Sequence, residues 1–269
     1  MRSLLLLVAV LTAGCTPARL APAHTELRVL VYNIHAGKDA GGADNLERVA
    51  AMITASGADI VLLQEVDSAT RRAQGVDQLA ALAVLTRMHG AFGSTIEWQG
   101  GSFGLAVLSR HPIGAHALIP LRTDPPQPRV DYAREPRGVL VATVTTPHGP
   151  LAVMNTHLDA GRDGQWRRQE VVHLLTVADS LRSADARLIL GGDLNARPSS
   201  PELQPLTEAG LRDAWIACGQ GEGFSFPATA PDRRIDYLFL DSGFDCQRAR
   251  VLPDEASDHR ALLVTLRLP

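Results

Sequence analysis

The sequence predicts one α/β domain whose sheet strands are covered on both faces. From Leu27 onward, short apolar runs rich in β-branched residues alternate with amphipathic helical patterns. Most of these runs, such as Asp59–Gln64, have no polar side, which is typical of strands in the middle of a layered structure. We find no repeat or low-complexity linker, and a hydrophobic content of 45% in 269 residues is ample for a buried core. A single layered domain is therefore expected.

The amino-terminal segment is expected to direct export. A short basic start precedes Leu4–Leu11, an apolar run too short to span a bilayer comfortably. The run leads into Gly14 and Cys15, which resembles a bacterial lipoprotein processing site, although Thr12 stands where leucine is commoner. We expect a lipid on Cys15 and a membrane-anchored protein on the periplasmic or cell-surface side; an ordinary cleavable signal is the alternative. The boundaries are then 1–14 for the signal peptide, 15–25 for the tether and 26–269 for the catalytic domain.

The strands are expected wherever β-branched apolar runs lie between turn signals. In chain order they are Arg28–Tyr32, Ile60–Gln64, Gly104–Leu108, Val139–Thr145, Leu151–Asn155, Leu188–Gly191, Ile235–Leu240 and Ala261–Leu266.

The first predicted helix is Asp44–Ser56. Asp44 is placed to cap its first turn, with Glu47 three residues later, and Gly57 is placed to end it. Its apolar stripe consists of Leu46, Val49, Ala50 and Ile53, which indicates packing on a sheet.

The second predicted helix is Gln165–Leu181. Its apolar face contains Val171, Leu174, Leu175, Ala178 and Leu181. Its other face carries Arg167, Arg168 and Glu170. We expect the two arginines, like Arg71 and Arg72, to be solvated surface residues; substrate contacts are the alternative.

Prolines 125, 126, 128 and 136 predict an exposed irregular loop over Arg122–Arg137. Long ordered loops near a catalytic rim often select substrate, and an inert connection is the alternative.

Polar residues of catalytic type stand at the ends of the apolar runs. An unpartnered carboxylate buried at a strand end is unfavourable by several kcal/mol, so such groups are normally paired or bind a metal. Their repeated occurrence at corresponding places predicts one polar pocket at a sheet edge. The residues are Asn33, Glu65, His157, Asp193, Asn195, Asp236, Asp258 and His259.

Three of these residues are oxygen donors suited to a hard divalent cation. Asn33, Glu65 and Asp258 predict a site for Mg²⁺ or Mn²⁺. His35 lies near Asn33, but no cysteine or paired-histidine spacing accompanies it, so zinc is disfavoured. We interpret His35 as a rim histidine that hydrogen-bonds substrate.

The remaining residues suit proton transfer and charge stabilisation. Asp236 would orient His259, which would take a proton from water as general base. Asp193 and Asn195 would position the water or the transition-state oxygens. His157 would donate a hydrogen bond or a proton to a phosphoryl or leaving-group oxygen.

Six ordered motifs together resemble the endonuclease/exonuclease/phosphatase superfamily. They are Tyr32–His35, Leu63–Asp67, Asn155–Leu158, Gly192–Asn195, Arg234–Tyr237 and Ser257–His259, within a match over residues 28–264. The resemblance implies a four-layered α/β/β/α sandwich of two packed mixed sheets flanked by helices, Mg²⁺ or Mn²⁺ dependence, and hydrolysis of phosphoester bonds.

The resemblance also assigns residue roles. It implies metal binding mainly by Glu65, with Asn33 and Asp258 nearby, and a dyad of His259 with Asp236. His157 groups the chain with members similar to pancreatic deoxyribonuclease and the sphingomyelinases. Arg137 is a candidate phosphate clamp, with a structural ion pair as the alternative.

The expected function is metal-dependent hydrolysis of phosphoester, and preferentially phosphodiester, bonds. Nucleic acid, a phospholipid headgroup and a small phosphoester remain possible substrates. A net charge of −3 argues against broad basic binding of nucleic acid but allows a local basic cleft. The alternative is an inactive lipoprotein interaction module with the same fold.

We expect a monomer, and Cys218 and Cys246 either pair or remain independent thiols.

Overall fold

Two mixed sheets pack face to face in the computed structural model, which describes residues 26–126, 135–184 and 186–268. Each sheet has six strands, in the orders β11-β12-β1-β2-β4-β3 and β5-β6-β7-β8-β10-β9. The strands are β1 Glu26–Asn33, β2 Ile60–Ser68, β3 His89–Trp98, β4 Gly101–Ser109, β5 Ile113–Pro120, β6 Gly138–Thr146, β7 Gly149–His157, β8 Arg187–Asp193, β9 Arg212–Asp213, β10 Asp236–Leu240, β11 Asp245–Val251 and β12 Leu262–Arg267.

Helices cover the outer face of each sheet. α1 Leu46–Ser56 and α2 Gln78–Thr86 cover the first sheet, and α3 Gln165–Ser183 and α4 Gln204–Glu208 cover the second. α5 Ala214–Cys218 instead contributes Ala214 and Trp215 to the apolar cluster between the sheets. Short 3₁₀ turns lie at His35–Gly37 and Pro201–Leu203. Val49 and Ile53 of α1 pack with Leu30 and Leu63 outside the first sheet. On the second sheet, α3 and α4 pack through a cluster that includes Leu174 and Leu206.

A third apolar cluster fills the space between the sheets. It joins Val31 and Leu62 of the first sheet to Val153 and Ile189 of the second, all fully buried. Strands covered on one face by helices and on the other by a second sheet have no solvated side, which explains their continuous apolar runs. The expected four-layered α/β/β/α sandwich is confirmed.

Every predicted strand is present, most of them longer than predicted. The strands that were missed are β3, β5, β9 and β11. β5 and β11 are mostly exposed or half-buried, and β3 and β9 lie at sheet edges. Edge strands bury less surface, so their sequences carry less of the apolar signal on which the prediction depended.

The cap predicted for the first helix is wrong. α1 begins after Asn45, and Asp44 instead accepts hydrogen bonds from Lys38 and Gln74. The apolar stripe and the end at Gly57, which has a φ of 66°, are confirmed.

The solvated surface predicted for Arg72 and Arg167 is also wrong. Arg167 and Glu170 of α3 are buried beneath the loop that follows β7, where each makes hydrogen bonds. Arg72 is partly buried and forms a bidentate ion pair with Asp67. Helical periodicity separates polar from apolar positions, but it does not reveal polar groups that bond a neighbouring loop. Arg168 is exposed, as predicted.

A disulfide joins Cys218 of α5 to Cys246 of β11, which resolves the alternative left open for these cysteines. Among the described residues, no helix is both long and apolar enough to cross a membrane.

Candidate functional site

Strand register brings three of the predicted residues into one row of the second sheet. His157 of β7 lies opposite Asp193 of β8, and Asp193 lies opposite Asp236 of β10. β7 and β8 are parallel while β10 is antiparallel to β8, so the end of two strands meets the beginning of a third. The topology therefore gathers side chains that are far apart in sequence at one sheet edge.

His259 completes this row through a hydrogen-bonded pair with Asp236. Its Nδ1 lies 2.9 Å from Asp236 Oδ2, and the same carboxylate oxygen accepts a 2.5 Å hydrogen bond from the Ser225 hydroxyl. The Phe226 ring packs against the imidazole, with ring centroids 4.7 Å apart. These contacts fix the imidazole plane and leave Nε2 directed away from Asp236.

Asp193 is the point where the polar groups converge. Its Oδ2 lies 3.5 Å from His157 Nε2 and 3.6 Å from His259 Nε2, and it accepts a 3.1 Å hydrogen bond from Asn33 Nδ2. Its Oδ1 accepts from the backbone N–H of Asn195. The Asn195 side chain donates to the carbonyl of Leu158, which fixes the turn after β8 against the end of β7.

Burial and charge shift the pKa of three groups in this cluster. Burial lowers the pKa of His259, but the carboxylates of Asp236 and Asp193 more than offset it and raise that pKa to about 10. Burial raises the pKa of Asp193 to about 7, against the opposing effect of His259. Burial, with Arg137 and His259, holds the pKa of His157 well below its usual range. His157 is therefore neutral at neutral pH and can donate one hydrogen bond.

Glu65 enters the same pocket from the first sheet. It lies in an irregular step of β2, between the paired residues Leu63 and Val66, and its φ is 56°. Asn33, at the end of the neighbouring β1, donates from Nδ2 to Glu65 Oε1 over 3.0 Å. Asn33 thus bridges Glu65 to Asp193, and its Oδ1 accepts from the backbone N–H of His35.

Asp258 and His35 form the neighbouring rim. His35 Nδ1 lies 3.8 Å from Asp258 Oδ1, and both side chains are partly exposed. The Ser257 hydroxyl lies 2.8 Å from the carbonyl of Asn33, which ties the Asp258 loop to the end of β1.

Two groups of side chains in this region could hold a divalent metal ion. Asp193, Asp236 and His259 offer ligand atoms that all lie within 4.8 Å of one another. Glu65 and Asp258 offer carboxylate oxygens at the pocket surface. Within the described residues Glu65 has no cationic partner inside 4.0 Å, and a partly buried carboxylate without one suits a metal.

The pocket above these residues has a volume of about 690 Å³. Asn33 and Asp236 lie behind its surface as hydrogen-bond partners, and Cys15 lies outside the described residues. The other predicted site residues line it: His35, Glu65, Arg137, His157, Asp193, Asn195, Asp258 and His259.

Arg137 is buried in the pocket wall and donates to Glu135 Oε1 over 2.7 Å. The ion pair that was one alternative is therefore present. The phosphate-clamp role stays a prediction. Among the described residues, the buried Arg137 Nε has no hydrogen-bond partner, so the guanidinium retains donor capacity.

Several pocket residues carried no sequence signal. Ser225 and Phe226 come from an irregular loop without periodicity, and only the fold brings them to Asp236 and His259. Trp98 and Phe103 form an aromatic wall contributed by the β3–β4 hairpin. Part of that hairpin was predicted, but its proximity to the site depends on tertiary packing.

The chain matches the model of the Endonuclease/Exonuclease/phosphatase family over residues 30–259. It is similar to an endonuclease/exonuclease/phosphatase from Beutenbergia cavernae DSM 12333, at 29% identity and a TM-score of 0.73, covering 90% of this chain and 72% of that one.

Two further structures share the fold. A mannosyl-6-phosphatase from Bacteroides thetaiotaomicron VPI-5482 is 20% identical, with a TM-score of 0.72 and coverage of 89% of this chain and 99% of that one. The human Nocturnin catalytic domain with bound sulfate is 20% identical, with a TM-score of 0.72 and coverage of 93% and 96%. The chain therefore belongs to the endonuclease/exonuclease/phosphatase family and has that family's phosphoester-hydrolase fold, with a buried Asp–Asp–His cluster at its sheet edge.

Proposed function

We propose that this protein is a metal-dependent hydrolase of phosphoester bonds, with phosphodiesters the favoured substrates. The observation that carries the proposal is the convergence of His157 and His259 on Asp193 at the floor of one pocket that also contains Glu65. An oriented imidazole, a neutral hydrogen-bond donor and carboxylate oxygens beside a common cavity are the groups that in-line attack of water on phosphorus requires.

His259 is the general base in this proposal. Its Nδ1–H is held by Asp236, which fixes the tautomer and stabilises the imidazolium that forms when Nε2 takes a proton from water. Nε2 lies 3.6 Å from Asp193 Oδ2, so a water that contacts both atoms from the pocket side would be oriented by the carboxylate as well. The Ser225 hydroxyl and the Phe226 ring keep the pair aligned.

His157 and Asn195 stabilise charge on the phosphoryl group. Because His157 is neutral, its N–H can donate to a phosphoryl or leaving-group oxygen as negative charge develops there. Asn195 lines the pocket with its amide fixed by Leu158. Arg137 adds a positive charge to the same wall.

Glu65 and Asp258 would hold Mg²⁺ or Mn²⁺, with Asn33 setting the orientation of Glu65. When bound, the ion would supply Lewis-acid stabilisation of the charge on the phosphoryl group. Asn33 belongs to the predicted metal group, and its Nδ2 contact with Glu65 supports a positioning role within that group.

The Asp193–Asp236–His259 cluster is the other metal site to consider, and its hydrogen bonds argue against it. Asp236 Oδ2 already accepts hydrogen bonds from the Ser225 hydroxyl and from His259 Nδ1, so this oxygen and this ring nitrogen are occupied by each other rather than by a metal. We therefore assign this cluster to proton transfer and Glu65 with Asp258 to the metal.

The substrate class remains open among nucleic acid, a phospholipid headgroup and a small phosphoester. A relative named as a mannosyl-6-phosphatase and another crystallised with sulfate support a site that accepts phosphate-like anions. The alternative, an inactive interaction module, gains no support because the full set of predicted polar residues in the described domain borders one pocket.

Hydrolysis of bis(p-nitrophenyl) phosphate tests the proposal directly. Turnover is expected with Mg²⁺ or Mn²⁺, is abolished by a chelator, and falls strongly in Asp258→Ala and His259→Ala. Exposed Asp245 on β11 provides the matched control Asp245→Ala, which should retain activity. The proposal fails if no phosphoester in a panel of DNA, RNA, sphingomyelin, phosphoinositides and nucleotides is cleaved, or if the site variants match the wild type.

We further propose export and a lipid anchor at Cys15. The Cys218–Cys246 disulfide supports an oxidising compartment. The full-length protein should partition into the detergent phase, and Cys15→Ser should abolish this partitioning. Equal partitioning of the variant would mean that lipidation of Cys15 is not the attachment.

A further inference from the structure

The loop that follows His157 forms one side of the pocket. Ala160, Gly161 and Arg162 line the cavity between the end of β7 and the start of α3. The carbonyl of Leu158, at the beginning of this loop, accepts a hydrogen bond from the Asn195 side chain. The loop is thus connected at its base to the polar cluster that contains Asp193.

Buried ionisable side chains hold this loop from beneath. Arg167 Nη1 donates to the carbonyls of Asp159 and Gly161 over 2.7 and 2.6 Å, and Nη2 lies 3.0 Å from Glu202 Oε1. Glu170 Oε2 accepts from the backbone N–H of Asp159 over 2.9 Å. We call Arg167, Glu170 and Glu202 the loop clamp.

The loop clamp carries a large desolvation penalty for a group of residues that supports only a surface loop. Its residues are each at most 5% exposed, and burying the charges of Arg167 and Glu202 costs free energy that their pairing only partly offsets. What such an arrangement supplies is one defined loop shape. Gly164 reflects the same constraint, since its φ is 64° and a Cβ there would collide with Glu202 Oε1.

Arg162 is the charged side chain of the clamped loop that lines the pocket, whereas its exposed neighbour Asp163 does not. It is exposed and lines the pocket, yet it makes no hydrogen bond or ion pair with the described part of the chain. Other rim arginines are engaged: Arg197 donates to the carbonyl of Asp232, and Arg233 pairs with the Asp232 carboxylate. Arg162 therefore has its full donor capacity available to a ligand.

We infer that Arg162 is a specificity-determining residue that binds a second anionic group of the substrate, apart from the phosphoester that is cleaved. The inference rests on the proposed function for its description of the cleaved group. It names the substrate class more closely: a phosphoester that carries a further phosphate or carboxylate. The loop clamp acts as a set of positioning residues, because it fixes the backbone on which Arg162 stands.

A pair of compounds that differ only in the second anion tests this role. They are the 5′-(p-nitrophenyl phosphate) of thymidine with and without a 3′-phosphate. Dissociation constants are measured by calorimetry with EDTA, where metal-dependent turnover is blocked, and hydrolysis is measured separately with Mn²⁺. In the wild type the 3′-phosphate should tighten binding about three- to fivefold, the scale of an exposed charge-assisted contact.

Arg162→Ala should abolish this preference and leave the affinity for the compound without the 3′-phosphate unchanged. Arg168→Ala, an exposed arginine that does not line the catalytic pocket, is the matched control and should keep the preference. Glu202→Gln, which weakens the clamp without removing its shape, should reduce the preference while Arg162 is intact.

An unchanged preference in Arg162→Ala, or no preference in the wild type, overturns the inference. Its failure is distinguishable from that of the proposed function. Hydrolysis of both compounds without an Arg162 effect would leave the function standing, whereas an Arg162-dependent preference without any hydrolysis would support the subsite and contradict the function.

Discussion

At the scale of single residues, the site depends on side chains that hold one another in place. Asp193 Oδ2 is approached by two imidazoles and one amide, and Asp236 Oδ2 by an imidazole and a hydroxyl. Groups bonded in this way lose little freedom when substrate binds, which is the condition for pre-organised catalysis.

Asp236→Asn tests the orientation of the base. An amide can still occupy the space but no longer stabilises the imidazolium, so kcat should fall about 10²- to 10⁴-fold, the range for loss of general-base catalysis. KM and metal affinity should change little. Steady-state kinetics on bis(p-nitrophenyl) phosphate provide the measurement, with Asp245→Asn on exposed β11 as control. A tenfold or greater loss of metal affinity in Asp236→Asn would instead indicate that this carboxylate binds the ion.

Glu170 gives the protein a pH-dependent stability. Burial raises its pKa from the ordinary 4.5 to about 7, and its buried Oε1 has no hydrogen-bond partner in the part of the chain that the structure describes. Between these two values the folded protein holds a proton that the unfolded chain has released. The stability associated with Glu170 is therefore present in full below pH 4.5 and is lost as the pH rises through about 7.

Glu170→Gln should remove this dependence, because the amide keeps an acceptor for the Asp159 N–H and carries no charge. We expect the variant to exceed the wild type in free energy of unfolding by about 2 kcal/mol at pH 8, with no gain near pH 4.5. Urea unfolding at several pH values provides the measurement. A parallel pH profile in the two proteins would show that Glu170 does not titrate as described.

The residues at strand ends could be predicted from sequence, and the loop residues could not. A polar residue that ends an apolar run, such as His157 or Asp193, is conspicuous because burial there needs a partner. Ser225 has no such context, and its hydrogen bond to Asp236 exists only after the loop folds over β10. Arg167 was assigned to the solvated surface because periodicity cannot detect a loop that covers a helix.

At the scale of elements, the backbones of β7 and β8 approach each other closely just before His157 and Asp193, which lie opposite each other at the strand ends. Gly192 lies opposite Thr156 in this pair and has a φ of 146°. A Cβ at this position would overlap the carbonyl oxygen of Thr156. Glycine is therefore required for the strands to end in register beside the site.

Gly192→Ala should lower the free energy of unfolding by about 3 kcal/mol or more, because both the backbone conformation and the interstrand contact become unfavourable. Gly114→Ala in β5 is the matched control, since its nearest neighbour would be the Thr143 carbonyl at 3.6 Å. Chemical denaturation compares the two variants. Similar small changes in both would contradict the steric account of Gly192.

The elements that sequence patterns predicted well are those buried on two faces. β1, β2, β7 and β8 consist largely of buried residues, and their apolar runs are long. Asp44 illustrates the limit at helix ends: it has the side chain of a good cap, but Lys38 and Gln74 bind its carboxylate instead. The sequence pattern around Asp44 does not show whether its carboxylate caps the helix or binds side chains such as Lys38 and Gln74.

At the scale of the whole molecule, the site exists because two sheets are packed in one orientation. Glu65 and Asn33 come from the first sheet, whereas His157, Asp193 and Asp236 come from the second. Beneath them, Gln64 donates to Asn155 Oδ1 over 2.6 Å, and Asn155 donates to the carbonyls of Leu63 and Ala106. These buried bonds connect the sheets directly below the pocket.

The two sheets therefore contribute different groups to the proposed mechanism. The first sheet, with Asp258, supplies the oxygen donors proposed for the metal, and the second supplies the row that orients His259. Fold class could be predicted because layered packing leaves a pattern in every buried strand. The relative position of the two groups depends on sheet packing, and no single segment encodes it.

Calorimetric titration with Mn²⁺ and kcat on bis(p-nitrophenyl) phosphate, both measured for Glu65→Gln and His259→Asn, separate the proposed metal ligand from the proposed base. Glu65→Gln should lose at least about tenfold in Mn²⁺ affinity, since a metal ligand is replaced by a neutral group. His259→Asn should bind Mn²⁺ like the wild type and lose turnover. The reverse result, with Mn²⁺ affinity lost in His259→Asn and retained in Glu65→Gln, would contradict the account.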